Sequence, residues 1–209
     1  FLRSQKDPAL LTRTFFASFL ALTTSTVASA TDVLIIYDTV NPQNSSTADL
    51  KTALEGAGYT VDLSDVDESS WDGTNPSLTG YEAVIHLNGS TYGSEMPAAG
   101  QTALVNYVNG GGGFIHGEWN AYQVDTKNEM ATMEPITLLE RNSGGTSTRT
   151  YTINTSHPVV ANLPNSFALP SHGYNVGYAR TFSTNPSTVL ATDQDGNDTI
   201  VVRSYGSGR

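Results

Sequence analysis

Residues 103–120 read ALVNYVNGGGGFIHGEWN, and this stretch decides the fold. Ala98, Leu104, Val105 and Val108 form the inner stripe of a helix over Pro97–Asn109, with Pro97 near its first turn. Gly110–Gly113 stops that helix and leads straight into a strand at Phe114–His116. The chain then turns sharply through His116-Gly117-Glu118-Trp119-Asn120. A glycine run invites a phosphate-loop reading, but phosphate and dinucleotide loops follow a strand and open a helix. Here the order is reversed, so the run is a helix stop.

Upstream, Val33–Tyr37 is the apolar run VLIIY, ending at Asp38, as expected of a strand buried on both faces of a parallel sheet. A helix follows over Thr47–Ala57, with Ser46 or Thr47 to cap it and Gly58 to end it in the left-handed conformation. Tyr59–Leu63 and Tyr81–Leu87 supply two further strands, separated by an acidic loop over 64–80. Downstream, the spacing predicts a helix over Met130–Leu139 and a strand over Arg149–Ile153. Thr188–Thr192 and Thr199–Ser204 are strands joined at Asp195-Gly196, a hairpin signal. Together these elements predict an α/β, flavodoxin-like, doubly wound and mostly parallel sheet, with helices on both faces and a C-terminal β-hairpin.

Composition narrows the function. The 209 residues carry a formal charge of −10, and nucleic-acid binding needs clustered Lys and Arg that this chain lacks. The complete absence of cysteine excludes thiol catalysis and thiolate metal sites. Residues 1–30 have the anatomy of an export signal: Arg3, Lys6 and Arg13, then an apolar run at Phe15–Leu22, then Ala28-Ser29-Ala30. That run is far shorter than the roughly 20 residues needed to span a bilayer. Removing the signal leaves 7 basic and 19 acidic residues and takes the charge to −12. The expected location is therefore exported, whether periplasmic, extracellular or cell-surface, with residues 31–209 as one α/β domain.

Four segments resemble the class I glutamine-amidotransferase-like superfamily and, within it, the trehalose-utilisation (ThuA-like) branch. They are Val33–Asp38 with its following helix, Ala103–Asn120, Ser156–Pro164 (SHPVVANLP) and Ser204–Arg209 (SYGSGR). The resemblance covers residues 32–209. It implies a further buried strand after SYGSGR, so the domain is expected to be truncated at its C-terminal end. It also implies a nucleophile at the corner after the fourth strand, a cysteine in amidotransferases. Glu118 takes that position here, which argues against glutaminase chemistry.

The candidate site follows from that corner, because open α/β sheets collect ligands at the carboxyl ends of their strands. Glu118 at a helix N-terminus can bind a hydroxyl or act as a base, although a capping carboxylate is the competing role. His116, and His172 in a Ser-His-Gly-Tyr stretch, are candidates to assist it. The ThuA-like branch often carries acidic residues near His172, and they are missing here. Asp38, Asn88, Trp119 and Asn120 are the expected ligand contacts. His86, His116 and Glu118 could form a zinc-type set, but no short ligand spacing enforces it and alternation can turn the two rings to opposite faces. No metal or cofactor is expected. The DQDGND segment at 193–198 resembles part of a calcium loop, yet it lacks the distant bidentate Glu, and a hairpin turn explains it better. His157 before Pro158 is expected to anchor a turn. Trp71, Tyr92, Trp119, Tyr122, Tyr174 and Tyr178 are loop aromatics that suit sugar rings, or simple loop packing.

The expected function is an exported domain that binds a small-molecule or carbohydrate ligand at Glu118, without glutaminase activity and without nucleic acid. Two alternatives stay open. One is a sugar-directed hydrolase or isomerase using Glu118 with His116 or His172; the other is a non-catalytic interaction module of a longer exported protein.

Overall fold

In the computed structural model the described residues are 32–41, 43, 45–127, 130, 133, 136–142, 148–169, 176–181 and 187–209, with backbone alone at 118, 125–127, 136–142 and 176–181. The first half contains β1 (Asp32–Tyr37), α1 (Ser45–Gly56), β2 (Thr60–Leu63), β3 (Ala83–Leu87), α2 (Ala98–Asn109), β4 (Gly113–His116) and α3 (Glu118–Lys127). Its four strands form a parallel sheet in the order β2-β1-β3-β4.

β1 is the centre of this sheet, and Val33 to Tyr37 are all buried. Alternation divides them between two cores. Leu34 and Ile36 pack with Trp71, Val84, Leu104 and Val108, so α2 covers one face. Val33, Ile35 and Tyr37 pack with Val61 and Ile85 and against Leu50 and Leu54, so α1 covers the other. Each large apolar side chain buried in this way contributes about 1.5–3 kcal/mol. That is why a continuous apolar run, rather than an alternating one, encodes β1. The doubly wound arrangement expected from sequence is therefore present.

The glycine run behaves as a stop. Gly111 has φ +124°, and a Cβ on Gly112 would run into the Tyr107 ring. Gly113 N–H then donates to Glu82 O at 3.0 Å and starts the pairing of β4 with β3. On its far side β4 is the sheet's edge, where Phe114 N–H donates to Arg209 O at 2.8 Å and Arg209 N–H to Gly112 O at 3.3 Å.

The second half forms a six-stranded antiparallel sheet, ordered β5-β8-β10-β9-β6-β7. The strands are β5 (Ile136–Asn142), β6 (Arg149–Ile153), β7 (Ser166–Leu169), β8 (Val176–Thr181), β9 (Thr188–Asp193) and β10 (Asp198–Val202). The expected hairpin is β9–β10, turning at Gly196 with φ +86°. It belongs to this larger sheet, which the sequence patterns did not disclose.

One expectation is corrected: the described residues of the helix expected over Met130–Leu139 are not helical. Met130 has φ 50°, a left-handed value that interrupts one, and Met130 and Met133 are buried in the α2-side core. Ile136 then begins β5, paired with Thr181 of β8. Apolar residues every three positions imitate helical spacing, while the β-branched Ile136 and Thr137 favour the strand that forms. No helix among the described residues is long and apolar enough to cross a membrane.

Candidate functional site

The carboxyl ends of β1, β3 and β4 bring the candidates to one edge of the parallel sheet. Asp38 follows β1 and is buried. Its Oδ2 accepts Ser90 N–H at 2.7 Å and the Ser90 hydroxyl at 2.8 Å, which ties the end of β1 to the turn after β3. Asn88 follows β3 and is also buried; its amide donates to Gln123 of α3, and Gln123 in turn donates to Ser94 O at 2.5 Å. Asp38 and Asn88 therefore brace the loops around this edge.

His86 and His116 are register partners on β3 and β4, and their rings lie on one face of the sheet. The Phe114 ring neighbours both, with centroids 6.1 Å from His86 and 5.8 Å from His116. The possibility that alternation separates the two imidazoles is thus corrected: residues 86, 114 and 116 share a parity across paired strands. The pair does not share an environment, since His86 is fully buried and His116 is half-buried. His116 Nδ1 lies 3.0 Å from Gly117 O, a carbonyl that accepts a hydrogen bond when this nitrogen carries a proton. Among the described residues no three His, Asp or Glu side chains group as metal ligands.

The partner of His86 was missed in the sequence. Glu68, in a short 3₁₀ turn within the 64–80 loop, is 0% exposed, and its Oε1 lies 3.2 Å from His86 Nε2. Its other oxygen accepts the Thr91 hydroxyl at 2.7 Å. The contact with His86 is not aligned as a hydrogen bond, and neither imidazole nitrogen has a hydrogen-bond partner among the described residues. The residues around Glu68, DVDESS, read as a solvated acidic loop and gave no signal of burial. Trp71 lies in this loop as expected, but its side chain is fully buried in the core, where its indole N–H donates to Pro76 O at 3.2 Å. The loop placement is corrected for Trp119 and Tyr122, which lie in α3, and for Tyr178, which lies in β8.

At the corner itself, Gly117 separates β4 from α3, whose first residue is Glu118. Trp119 stacks on Tyr92 with ring centroids 4.3 Å apart, and Tyr122 meets both rings edge-on at 5.8 Å. Tyr92 is exposed, so this aromatic trio reaches the surface. Asn120 is 0% exposed, and neither its oxygen nor its nitrogen has a hydrogen-bond partner among the described residues. The Glu118 side chain, His172 and Tyr174 lie outside the described residues, as does the Tyr178 side chain.

Negative charge gathers here. Burial first, then the carboxylates of Asp67, Asp38 and Asp65, raise the Tyr37 phenol above its ordinary value. A separate groove of about 1450 Å³ runs along the open edge of β4, lined by Gly112, Phe114, His116, Gly117, Tyr151 and Arg209. It exceeds the ~300–1,000 Å³ usual for small-ligand sites. Of the described candidates only His116 borders it; Asp38, Asn88, Trp119 and Asn120 do not. Elsewhere, His157 anchors its turn as expected, with Nδ1 accepting Val159 N–H at 3.2 Å.

Comparison with known proteins agrees with this architecture. A family model described as ThuA, trehalose utilisation, matches residues 32–209. Among solved structures, a protein from Parabacteroides merdae described as ThuA-like is 17% identical, with a TM-score of 0.60 over 86% of this chain and 77% of that one. A glutamine amidotransferase from Thermotoga maritima is 12% identical, with a TM-score of 0.56 over 85% of this chain and 73% of that one. At such identities the likeness is one of fold. No curated protein matches the chain.

Proposed function

Because the chain belongs to the ThuA (trehalose utilisation) family over residues 32–209, we propose that it is an exported ThuA-like domain that binds a carbohydrate-type ligand at the corner around Glu118, without glutaminase activity. The aromatic trio of Tyr92, Trp119 and Tyr122 carries this reading. Aromatic faces stack on the apolar faces of sugar rings, and the polar residues of the same corner suit hydroxyls. The family's own description, trehalose utilisation, points to the same ligand class. The absence of any cysteine supports the negative half, since amide hydrolysis of the amidotransferase type runs through a thiolate. The basic, apolar and small-residue segments of residues 1–30 support export.

Titration of the purified protein with a panel of glycans tests the site. Binding is expected, weakened at least about tenfold by Trp119→Ala, given stacking worth about 0.5–1.5 kcal/mol beyond the area it buries. Binding that is indifferent to both Trp119→Ala and Glu118→Ala would remove the site from this corner.

A second reading, a sugar-directed hydrolase or isomerase with Glu118 as base and His116 or His172 assisting, is favoured by His116 ending β4 two residues before Glu118 at the same corner. It predicts turnover that disappears in Glu118→Gln while the fold is kept. Full activity in that variant would exclude it.

A further inference from the structure

Four hydrogen-bond donors in the loops at the carboxyl edge of the parallel sheet are already engaged by carboxylates. Ser90 gives its N–H and its hydroxyl to Asp38, at 2.7 and 2.8 Å. Thr91 shares its one hydroxyl proton between Glu68 at 2.7 Å and Asn88 O at 2.8 Å, and Val40 gives its N–H to Asp67 at 2.7 Å. In open α/β proteins, donors in such loops receive the anionic part of a ligand. Here the chain's own carboxylates receive them, and Asp38 sits on the Ser90 donors much as a bound anion would. The loop is closed around it, because a Cβ on Gly89 would fall 2.6 Å from Asp38 Oδ2. Three basic side chains are committed elsewhere: Lys51 to Glu55, Arg149 to Asp193 and Asp195, and Arg203 to Met133 O.

Asn120 gives an independent indication. Its carboxamide is fully buried in the first turn of α3, with both polar atoms unpartnered among the described residues. A carboxamide both donates and accepts, so its complement is a group that does both, a hydroxyl or a water. A phosphate or carboxylate only accepts.

Building on the carbohydrate reading above, we infer that this edge selects uncharged polyhydroxyl ligands and rejects phosphorylated or carboxylated ones. An incoming anion meets Asp38, Asp67 and Glu68 and finds their donors taken, whereas a neutral sugar loses nothing by their charge.

The test is calorimetric titration of the whole chain with trehalose, maltose and cellobiose, each beside its 6-phosphate, at low and high ionic strength. The expected result is a neutral sugar bound at least about tenfold more tightly than its phosphate, the size of a like-charge contact at moderate dielectric. The gap should narrow as salt screens the carboxylates, and narrow again in Asp38→Asn. Should Asp38→Asn fail to fold, the salt dependence of the unaltered protein decides alone. A phosphate bound as tightly as its neutral parent, or more tightly, would overturn the inference and leave the carbohydrate reading standing. If no sugar of either kind binds, the carbohydrate reading fails and this selectivity fails with it.

Discussion

Two buried charge clusters in this molecule are built differently. In the antiparallel sheet, Asp193 receives Arg149 Nη1 at 2.7 Å, the N–H groups of Asp195 and Asn197 at 2.9 Å each, and the Asn197 amide at 3.1 Å. Arg149 also reaches Asp195 at 2.7 Å. Burial pushes the Asp193 carboxyl up, but the bonds from Asn197 and Asp195 and the Arg149 charge outweigh it, and the net shift is downward. The segment that looked like part of a calcium loop thus has a guanidinium as its cation. At the parallel sheet's edge, Glu68 and His86 are equally buried, yet the imidazole lacks aligned partners and the carboxylate has one hydrogen bond, from Thr91. A buried polar group left unpaired costs about 1–3 kcal/mol. A satisfied cluster holds a turn together; an unsatisfied one, kept at the edge where open α/β sheets gather ligands, is not explained by the fold alone.

The largest test of this contrast is Arg149→Met. It leaves Asp193 buried without its cation and is expected to cost about 3–5 kcal/mol in denaturant unfolding. A loss below about 1 kcal/mol would mean that the backbone donors alone satisfy Asp193 and that Arg149 is dispensable. Glu68→Ala should cost about 2 kcal/mol, because it removes one acceptor of the Thr91 hydroxyl and leaves a cavity beside the buried His86. The double replacement Glu68→Met with His86→Leu should recover most of that loss, since apolar groups of similar volume often replace a poorly satisfied pair without penalty. If the double variant is as unstable as the single one, this pair is a structural staple as well and the contrast breaks.

The same contrast shows what the sequence makes legible. β1 could be read because burial on both faces demands the uninterrupted VLIIY, and the β4–α3 corner because a glycine run between helix and strand has few other uses. The hairpin at Asp195-Gly196 announced itself through local turn chemistry. The hidden features depend on partners elsewhere in the chain. Glu68 is buried only because the 64–80 loop folds inward around Trp71, and nothing within DVDESS encodes that. β8 pairs with β5 across the intervening β6 and β7, and β5 carries an apolar spacing compatible with either helix or strand. At the site, the strand ends located Asp38, Asn88 and His116 correctly at one edge. They could not tell that Asp38 would be spent on Ser90.

Acidification should give a smaller, graded difference. The folded-state pKa of Asp193 lies below its ordinary value, so its contribution is complete above the usual carboxylate range near 4 and is lost as pH falls through the lowered value. Asp193→Asn should therefore flatten the acid limb of the stability curve. An acid limb unchanged in that variant would assign the pH dependence to other carboxylates.

The smallest effect is expected from Asp195→Ala, which removes the second acceptor of Arg149. This carboxylate is 50% exposed, so its pairing at 2.7 Å competes with water and is screened by salt. Its backbone N–H, which the substitution keeps, still bonds Asp193 at 2.9 Å. A cost of about 0.5 kcal/mol at low salt, shrinking at high salt, is expected by equilibrium unfolding. Arg149 would then owe its importance to the buried carboxylate and not to the exposed one, although both stand at the same distance from it. A cost comparable to that of Arg149→Met would show instead that the three groups act as one unit, and that burial alone does not rank them.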